Sequence, residues 1–478
     1  VFYRGALAVG PGTLRLDADT TVVRDTPPSP VIRSGAALTT LTPRNANFNP
    51  ADARIDEDKY HLAVGYSQPT PWGDWDTLVS YAWSGVRDVR AFLHPDLSGA
   101  ADTQNQRRYI GDGYFDTHLT HKLAGDMTLV VGADALYGHG TQTTLNGNGA
   151  YTVPLNGSVV PPPSSAFAAN EIGTVDDRRL FAGQYAQLDW HPDERWDVLA
   201  GVRLNEVHEH KDSSDLLLPP PQLTSAEVSK TINRLTETLG ASYRIWSEGK
   251  DETLVYADFR NAFKPAALDF GPDYRPDLLQ PETAQSYEAG LKGAADGGRL
   301  TYQGELFALN FTNLVIATSS GALANAGGER LKGLEAEARY QLAPDLTLAA
   351  NAAWHDATFT QFFDAGSNVD VSGRQLTLSP QVLASAGVLY TPQHGITATA
   401  VARYVGRRFL DEENTAAAGG FTTLDASVGY SWGSHQLALE GTNLTNQRPP
   451  VTSSEFGSES FYLLPARMIW MRLRYGWR

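Results

Sequence analysis

The sequence predicts an all-β chain folded as a transmembrane antiparallel β-barrel. Three observations carry this. Apolar and polar residues alternate over segments of roughly 12–18 residues, longer than the ~5–6 of ordinary strands. The connections between segments are alternately short and long. No stretch approaches the ~20 apolar residues of a membrane helix.

The alternation is clearest near the C-terminus. Thr422, Leu424, Ala426, Val428, Tyr430 and Trp432 interleave with Thr423, Asp425, Ser427, Gly429 and Ser431. Successive strand side chains point to opposite faces, so one face is mostly apolar and the other small and polar. Ile469, Met471, Leu473, Tyr475 and Trp477 repeat the design, with Arg472 and Arg474 opposite. A strand crossing a bilayer at a tilt needs ~9–11 residues. Leu424, Ala426, Val428, Ile469, Met471 and Leu473 are therefore expected on a lipid-facing belt, with Asp425, Ser427 and Arg472 inside. Mean hydropathy is only −0.30. Barrel strands hide from such averages because half their residues are polar. The 10 Trp and 20 Tyr suit interfacial girdles.

Short connections fall at Gly10–Gly12, Pro69–Asp74, Ala124–Asp126, His191–Arg195, Glu248–Asp251, Ala294–Gly298, Ala343–Asp345, Pro392–Gly395 and Gly433–Ser434. Long loops are expected near 26–57, 94–106, 146–177, 212–229, 266–282, 319–328, 364–373, 411–420 and 447–459. Short periplasmic turns and long extracellular loops are the asymmetry of outer-membrane barrels. The count is about 19 strands in one domain, 1–478. The first, Val1–Val9, runs into a short turn, and the last, Phe461–Trp477, ends on the short-turn side. Single-chain bacterial barrels are normally even-numbered. The expectation is therefore an N-terminally truncated barrel with an open edge at each end, which three more strands would bring to the 22 of plugged transporters.

Composition excludes other classes. Cysteine is absent, which removes disulfide frameworks, zinc–thiolate sites and cysteine nucleophiles. The net charge of −16, without a basic cluster, argues against a nucleic-acid partner. No catalytic constellation is found, so the chain is read as no enzyme, and no cofactor is assigned. His118 and His121 point to opposite faces of one strand. His208 and His210 share a face with Glu206, a set with ligand chemistry. Solvated polar residues of a rim explain them more simply, and no metal is assigned. Asp411–Asn414 and Asp364…Asp370 lack EF-hand spacing and are read as ordinary acidic loops. The glycines of Asn146-Gly-Asn-Gly149 do not lead from a strand into a helix, as a phosphate loop would.

What remains is binding. Arg260, Arg403, Arg407 and Arg408 stand at lumen-facing or loop-proximal strand ends. Arg275 and Arg448 lie in long loops, with Tyr274, Tyr151, Phe456 and Tyr462 as aromatic company. Arginine forks and aromatic faces suit an anionic, ring-bearing ligand such as a ferric chelate. Arg260, Tyr274, Arg275, Arg403, Arg407, Arg408 and Arg448 are the candidate contacts.

Several segments in one order resemble the barrel of TonB-dependent outer-membrane receptors. Tyr185-Ala-Gln-Leu-Asp-Trp190 followed by Trp196-Asp-Val-Leu-Ala-Gly-Val-Arg203 resembles a mid-barrel hairpin. Asn261-Ala-Phe-Lys-Pro265, Leu279-Gln-Pro-Glu282 and Ser286-Tyr-Glu-Ala-Gly-Leu-Lys292 resemble the family's "FKP…L-PE…YE-G-K" signature. Phe311-Thr-Asn-Leu-Val315, Asn325-Ala-Gly and Leu331-Lys-Gly-Leu-Glu335 resemble the next hairpin. Gly441-Thr-Asn-Leu-Thr-Asn446 and Leu464-Pro-Ala-Arg467 resemble its end. The match covers 178–478; the N-terminal third matches in pattern alone, and Arg478 stands where such barrels usually end on an aromatic. The resemblance implies a bacterial outer-membrane location, contact with lipid, and a plug domain and TonB box, neither present in this chain. The TonB complex would then be reached through a missing N-terminal segment. It implies energised uptake of a scarce nutrient, most often a ferric siderophore. Cobalamin, another metal complex or a glycan are alternatives, and a passive porin is the rival class.

Overall fold

The structure is a computed structural model and describes all residues except 266–277, 318–322, 365–367, 455 and 477–478. Its main body is a single sheet of 19 antiparallel strands, the number expected from the sequence. Each strand pairs with its neighbours in chain order, from Phe2–Val9 through to Met468–Arg474. Short turns hold the order. At Gly433–Ser434, Trp432 pairs with His435 and Gly433 has φ +58°, a conformation that a two-residue hairpin demands and glycine adopts freely.

The register sorts the side chains into two faces. Ala398, Val428, Leu439 and Met471 form one continuous row across four strands. Leu439 is 59% exposed, Ile469 62% and Met471 73%. Such apolar side chains standing free in a paired strand are the lipid-facing belt, and Leu424 and Ala426 share their face by alternation. The opposite face is polar. Arg403 is ion-paired with Asp425, and Arg472 with Glu440. Asp425 and Arg472 thus lie inside, as expected. Aromatic residues flank the belt: Tyr60, Trp83 and Tyr109 stack with centroids 5.7 and 6.0 Å apart toward the long-loop side. Trp196 and Tyr243 meet at 4.8 Å beside the short turns.

Two hydrogen-bonded rims result. Along the short-turn rim, the amide of His191 donates to the Asp126 carbonyl (3.0 Å) and that of Thr391 to the Asp345 carbonyl (2.9 Å). Along the other rim, Ser164 N donates to Asp52 (2.6 Å), Gln280 N to Asn325 (2.7 Å) and Gln375 N to Asn414 (2.8 Å). The clustered apolar core lies among these loops and the upper ends of the strands beneath them. Ile32, Phe48, Leu93, Ala101 and Val153 form one cluster; Leu410, Ala416, Ala418 and Phe461 form another.

Two expectations are corrected. The segments 94–106 and 212–229 are mostly strand, and strands enter 146–177 from both ends, leaving 153–170 as the loop. Strands reach from Gly73 to Leu93, Ala100 to Leu123, Met127 to Thr152, Glu171 to Trp190, Trp196 to Leu217 and Gln222 to Glu248. Above the belt both strand faces meet water, so the apolar signal vanishes while the backbone ladder continues. Second, the last strand does not begin at Phe461. Gly457–Leu463 belongs to a separate small sheet, and the wall strand starts at Met468, beyond Pro465, which has no N–H to give a ladder. The ladder between Gln222–Glu248 and Asp251–Lys264 stops at Thr238 and Arg260. Beyond it Asn261–Lys264 stays with the following strand and leans inward, bringing Phe263 to 6.4 Å from Phe181, which lies three strands away.

The two end strands, Phe2–Val9 and Met468–Arg474, each have one partner among the described residues. Their loops meet instead. Val31 and Ile32 pair antiparallel with Phe461 and Ser460. Arg33 donates to the Ser458 carbonyl (2.6 Å) and to Glu459 (3.1 Å), and Arg448 donates to the Arg44 carbonyl (2.8 Å).

Candidate functional site

The interior wall is lined by charged and amide side chains that the alternation turns inward. At mid-height Arg203 reaches across two strands to Asp134 with a fork, one arm 2.7 Å long, and lies over the rings of Phe181 and Tyr185. Tyr185 in turn donates to Asp116 (2.9 Å). Higher up, Arg179 donates to Glu209 (2.6 Å) beside the buried Asp177. Burial, reinforced by Glu209, pushes the Asp177 carboxyl up to about 7. None of these residues was among the candidate contacts; Tyr185 and Arg203 stood only within the hairpin motif. The signal was present as inward parity on a strand, but parity alone does not say which polar residue is central.

The candidate contacts separate into distinct places. Arg260 faces the interior, ion-paired with Asp258 (3.2 Å) and half-exposed. It lines a cavity of about 570 Å³ with Tyr256, Glu288, Lys292, Gln303 and Glu305. Arg403 stands on the inner face of its strand with Asp425, its guanidinium half-exposed. Arg407 lies at the rim, exposed, with its guanidinium 4.6 Å from the centre of the Phe409 ring. Arg408, its neighbour, is buried; it donates to the Pro450 carbonyl and covers the Phe421 ring at 5.1 Å. Arg448 holds the loop of Arg44. Tyr274 and Arg275 lie outside the described residues. Arg403, Arg407, Arg408 and Arg448 all belong to the C-terminal strands and their rim, whereas Arg260 lies on a separate part of the wall.

The aromatic company divides likewise. Tyr151 is held by the Phe48 carbonyl and stacks on Phe167 at 4.9 Å, which makes it loop packing. Phe456 packs edge-on against Phe92 at 6.0 Å. The acidic loops are self-satisfied: Asp411 accepts from the amides of Thr415 (2.8 Å) and Ala416 (3.0 Å). The result is a polar, mouth-like opening with exposed guanidinium and aromatic groups. Such a surface can bind an anionic ligand and can let it pass.

Comparison with known proteins agrees with this geometry. A family model described as "TonB dependent receptor-like, beta-barrel" matches residues 4–444. The metal-pseudopaline receptor CntO of Pseudomonas aeruginosa (strain UCBPP-PA14) is 25% identical over 430 residues, covering 84% of this chain and 57% of that protein. The ferrioxamine receptor of Yersinia enterocolitica is 28% identical over 187 residues, 39% of this chain and 25% of that protein. The chain thus spans between a quarter and somewhat over half of the length of these relatives. Among solved structures, the siderophore receptor PiuA from Acinetobacter baumannii superposes with a TM-score of 0.77 at 16% identity, covering 97% of this chain and 71% of that one. The ferric yersiniabactin uptake receptor FyuA from Yersinia pestis gives a TM-score of 0.74 at 17% identity, covering 96% and 67%. At these identities the superpositions speak for the fold.

Proposed function

The chain belongs to the TonB-dependent receptor β-barrel family of the bacterial outer membrane, and from that premise we propose that it forms the conduit for energised uptake of a ferric siderophore or a closely related metal chelate. The observation that carries the reading is the interior itself. An opening lined with exposed guanidinium groups at Arg403 and Arg407, set beside Phe409, suits a ligand that is anionic and contains flat rings. Relatives that carry receptor names for metal-pseudopaline and ferrioxamine support the same class. In this reading a plug domain occupies the lumen and a TonB box on the same polypeptide engages the energy-transducing complex. The cavity beside Arg260 then faces the plug and not the medium.

The test is uptake of radiolabelled ferric chelates by iron-starved cells that carry the receptor as their only route. Uptake is expected to stop when the proton-motive force is collapsed. Uptake that continues at an unsaturable rate would instead mark a passive porin. Arg407→Ala is expected to weaken chelate binding about tenfold, which corresponds to ~1.4 kcal/mol, while leaving the amount of receptor in the membrane unchanged. Saturable uptake of cobalamin or an oligosaccharide, with none of iron chelates, would reassign the ligand class and keep the transporter.

A further inference from the structure

We propose that the outer wall, above the membrane, carries a site for a divalent transition-metal ion of the zinc class, formed by His210, Asp212 and Glu227. It lies outside the lumen and does not depend on which ligand the lumen carries. The strands Trp196–Leu217 and Gln222–Glu248 pair without a slip over this stretch, setting Asp212 opposite Glu227 and His210 opposite Ser229. Alternation puts these side chains on the face of Val202 and Leu204, which are half-exposed members of the lipid belt. His210 is six residues beyond Leu204, ~20 Å along a strand, and so stands clear of the hydrocarbon.

The geometry is that of a prepared ligand set. One ligand atom from each of the three residues lies within 4.8 Å of the others. His210 Nε2 is 3.2 Å from an Asp212 oxygen and 3.9 Å from a Glu227 oxygen. Ligands at ~2.0–2.2 Å from a tetrahedral ion sit roughly 3.3 Å apart, so small side-chain shifts suffice. The other ring nitrogen is already committed: Nδ1 lies 2.8 Å from Ser229 Oγ. An Nδ1–H donated to that hydroxyl fixes the ring and leaves the Nε2 lone pair for an ion, the usual support of a metal-bound imidazole.

Charge points the same way. Two carboxylates directly opposite on paired strands repel. Asp176, on the other side of Asp212, has its own partners, His139 (3.1 Å) and Arg178 (3.1 Å). Among the described residues His210 is the sole ion-pair partner of Asp212 and of Glu227. A divalent ion bound to neutral His210 cancels both negative charges, and water completes its shell. An imidazole with two carboxylates favours zinc, copper or nickel over calcium or magnesium, which prefer oxygen alone. His208, which shares the face, is not part of the set. Its Nε2 lies 2.7 Å from Glu206 and its Nδ1 2.9 Å from Thr231. The ligand set is thus drawn from two strands, and differs from the grouping of His208 and His210 with Glu206, to which the sequence assigned no metal.

The experiment is calorimetric titration of the detergent-solubilised protein with zinc chloride alone. One equivalent is expected to bind with a micromolar or tighter Kd. His210→Ala and Asp212→Asn are expected to weaken it at least tenfold, and His208→Ala to leave it unchanged. Cobalt(II) in place of zinc should give visible absorption that His210→Ala removes. Heat-modified mobility on gels checks that each variant is folded, and Glu227→Gln supplies a further variant at an exposed position. Absence of zinc binding, or equal binding by folded His210→Ala, overturns the site. Displacement of zinc by equimolar calcium overturns the transition-metal assignment.

Discussion

Glu412 shows how the rim changes the chemistry of an ordinary side chain. Burial pushes its carboxyl up from 4.5 to about 7, the neighbouring Asp364 and Asp411 add to the push, and Arg33 opposes it. A carboxyl with a raised folded pKa keeps its proton longer in the folded loop than in the unfolded chain. Its contribution to stability is complete below the ordinary value of 4.5 and is lost as pH rises from there through about 7. Glu412→Gln should therefore match the parent in thermal midpoint at pH 4 and exceed it at pH 8, by at most about 3 kcal/mol in stability. A variant no more stable than the parent at pH 8 would show that Glu412 is solvated. The sequence marked Asp411–Asn414 and Asp364 as acidic loops, and it could not show that folding brings them together. That proximity is made by two connections separated by two wall strands. Arg403 was more legible, because alternation alone turned it inward toward Asp425.

At the scale of a strand, neighbouring residues have opposite fates. Val428 faces lipid and Ser427 faces the interior, where it shares a hydrogen bond of 2.8 Å with Thr399. Val428→Arg should destabilise folding into lipid vesicles by about 2–4 kcal/mol if the residue lies near the bilayer midplane, and Ser427→Arg by less than half of that. Equal costs in urea titrations would mean the two faces are misassigned. The rims are as open to test, because a chain without cysteine gives each introduced thiol a clean signal. Ser158→Cys, in the long connection, should react with an impermeant maleimide on intact cells. Ser434→Cys, in a short turn, should react only after lysis. The strand count and the placement of the turns were legible because a lipid-facing strand must alternate. The upper parts of the tall hairpins were not. From Asp212 to Ser229 the two-residue period persists in the backbone while both faces carry polar residues, so the pattern reads as loop.

For the whole molecule, the contact that brings the two ends of the sheet together is made by loops. Ile32 and Ser460 are cross-strand partners and both fully buried. Directly opposite residues of antiparallel strands lie ~4.5–5.5 Å apart at Cα, within reach of a disulfide. The double variant Ile32→Cys, Ser460→Cys should therefore cross-link on mild oxidation and change mobility on a non-reducing gel; a pair that stays reduced would refute the loop pairing. Sequence patterning did not reveal this contact, since it joins residues over 400 positions apart through backbone bonds that leave no periodic trace. The wall itself is uneven in height. Strands between Gly73 and Glu248 run 20–27 residues, while those from Val382 to Arg474 run 7–12. At ~3.3 Å per residue the difference is tens of ångströms along the strand. One side of the mouth is thus a tall palisade, braced by long ladders beneath its loops. The other is a low parapet roofed by folded loops, and loops move on nanosecond to microsecond timescales where paired strands do not. Among the described residues, the loops over the parapet have the shorter ladders beneath them and are the freer border of the entrance, with the tall strands as its fixed jamb.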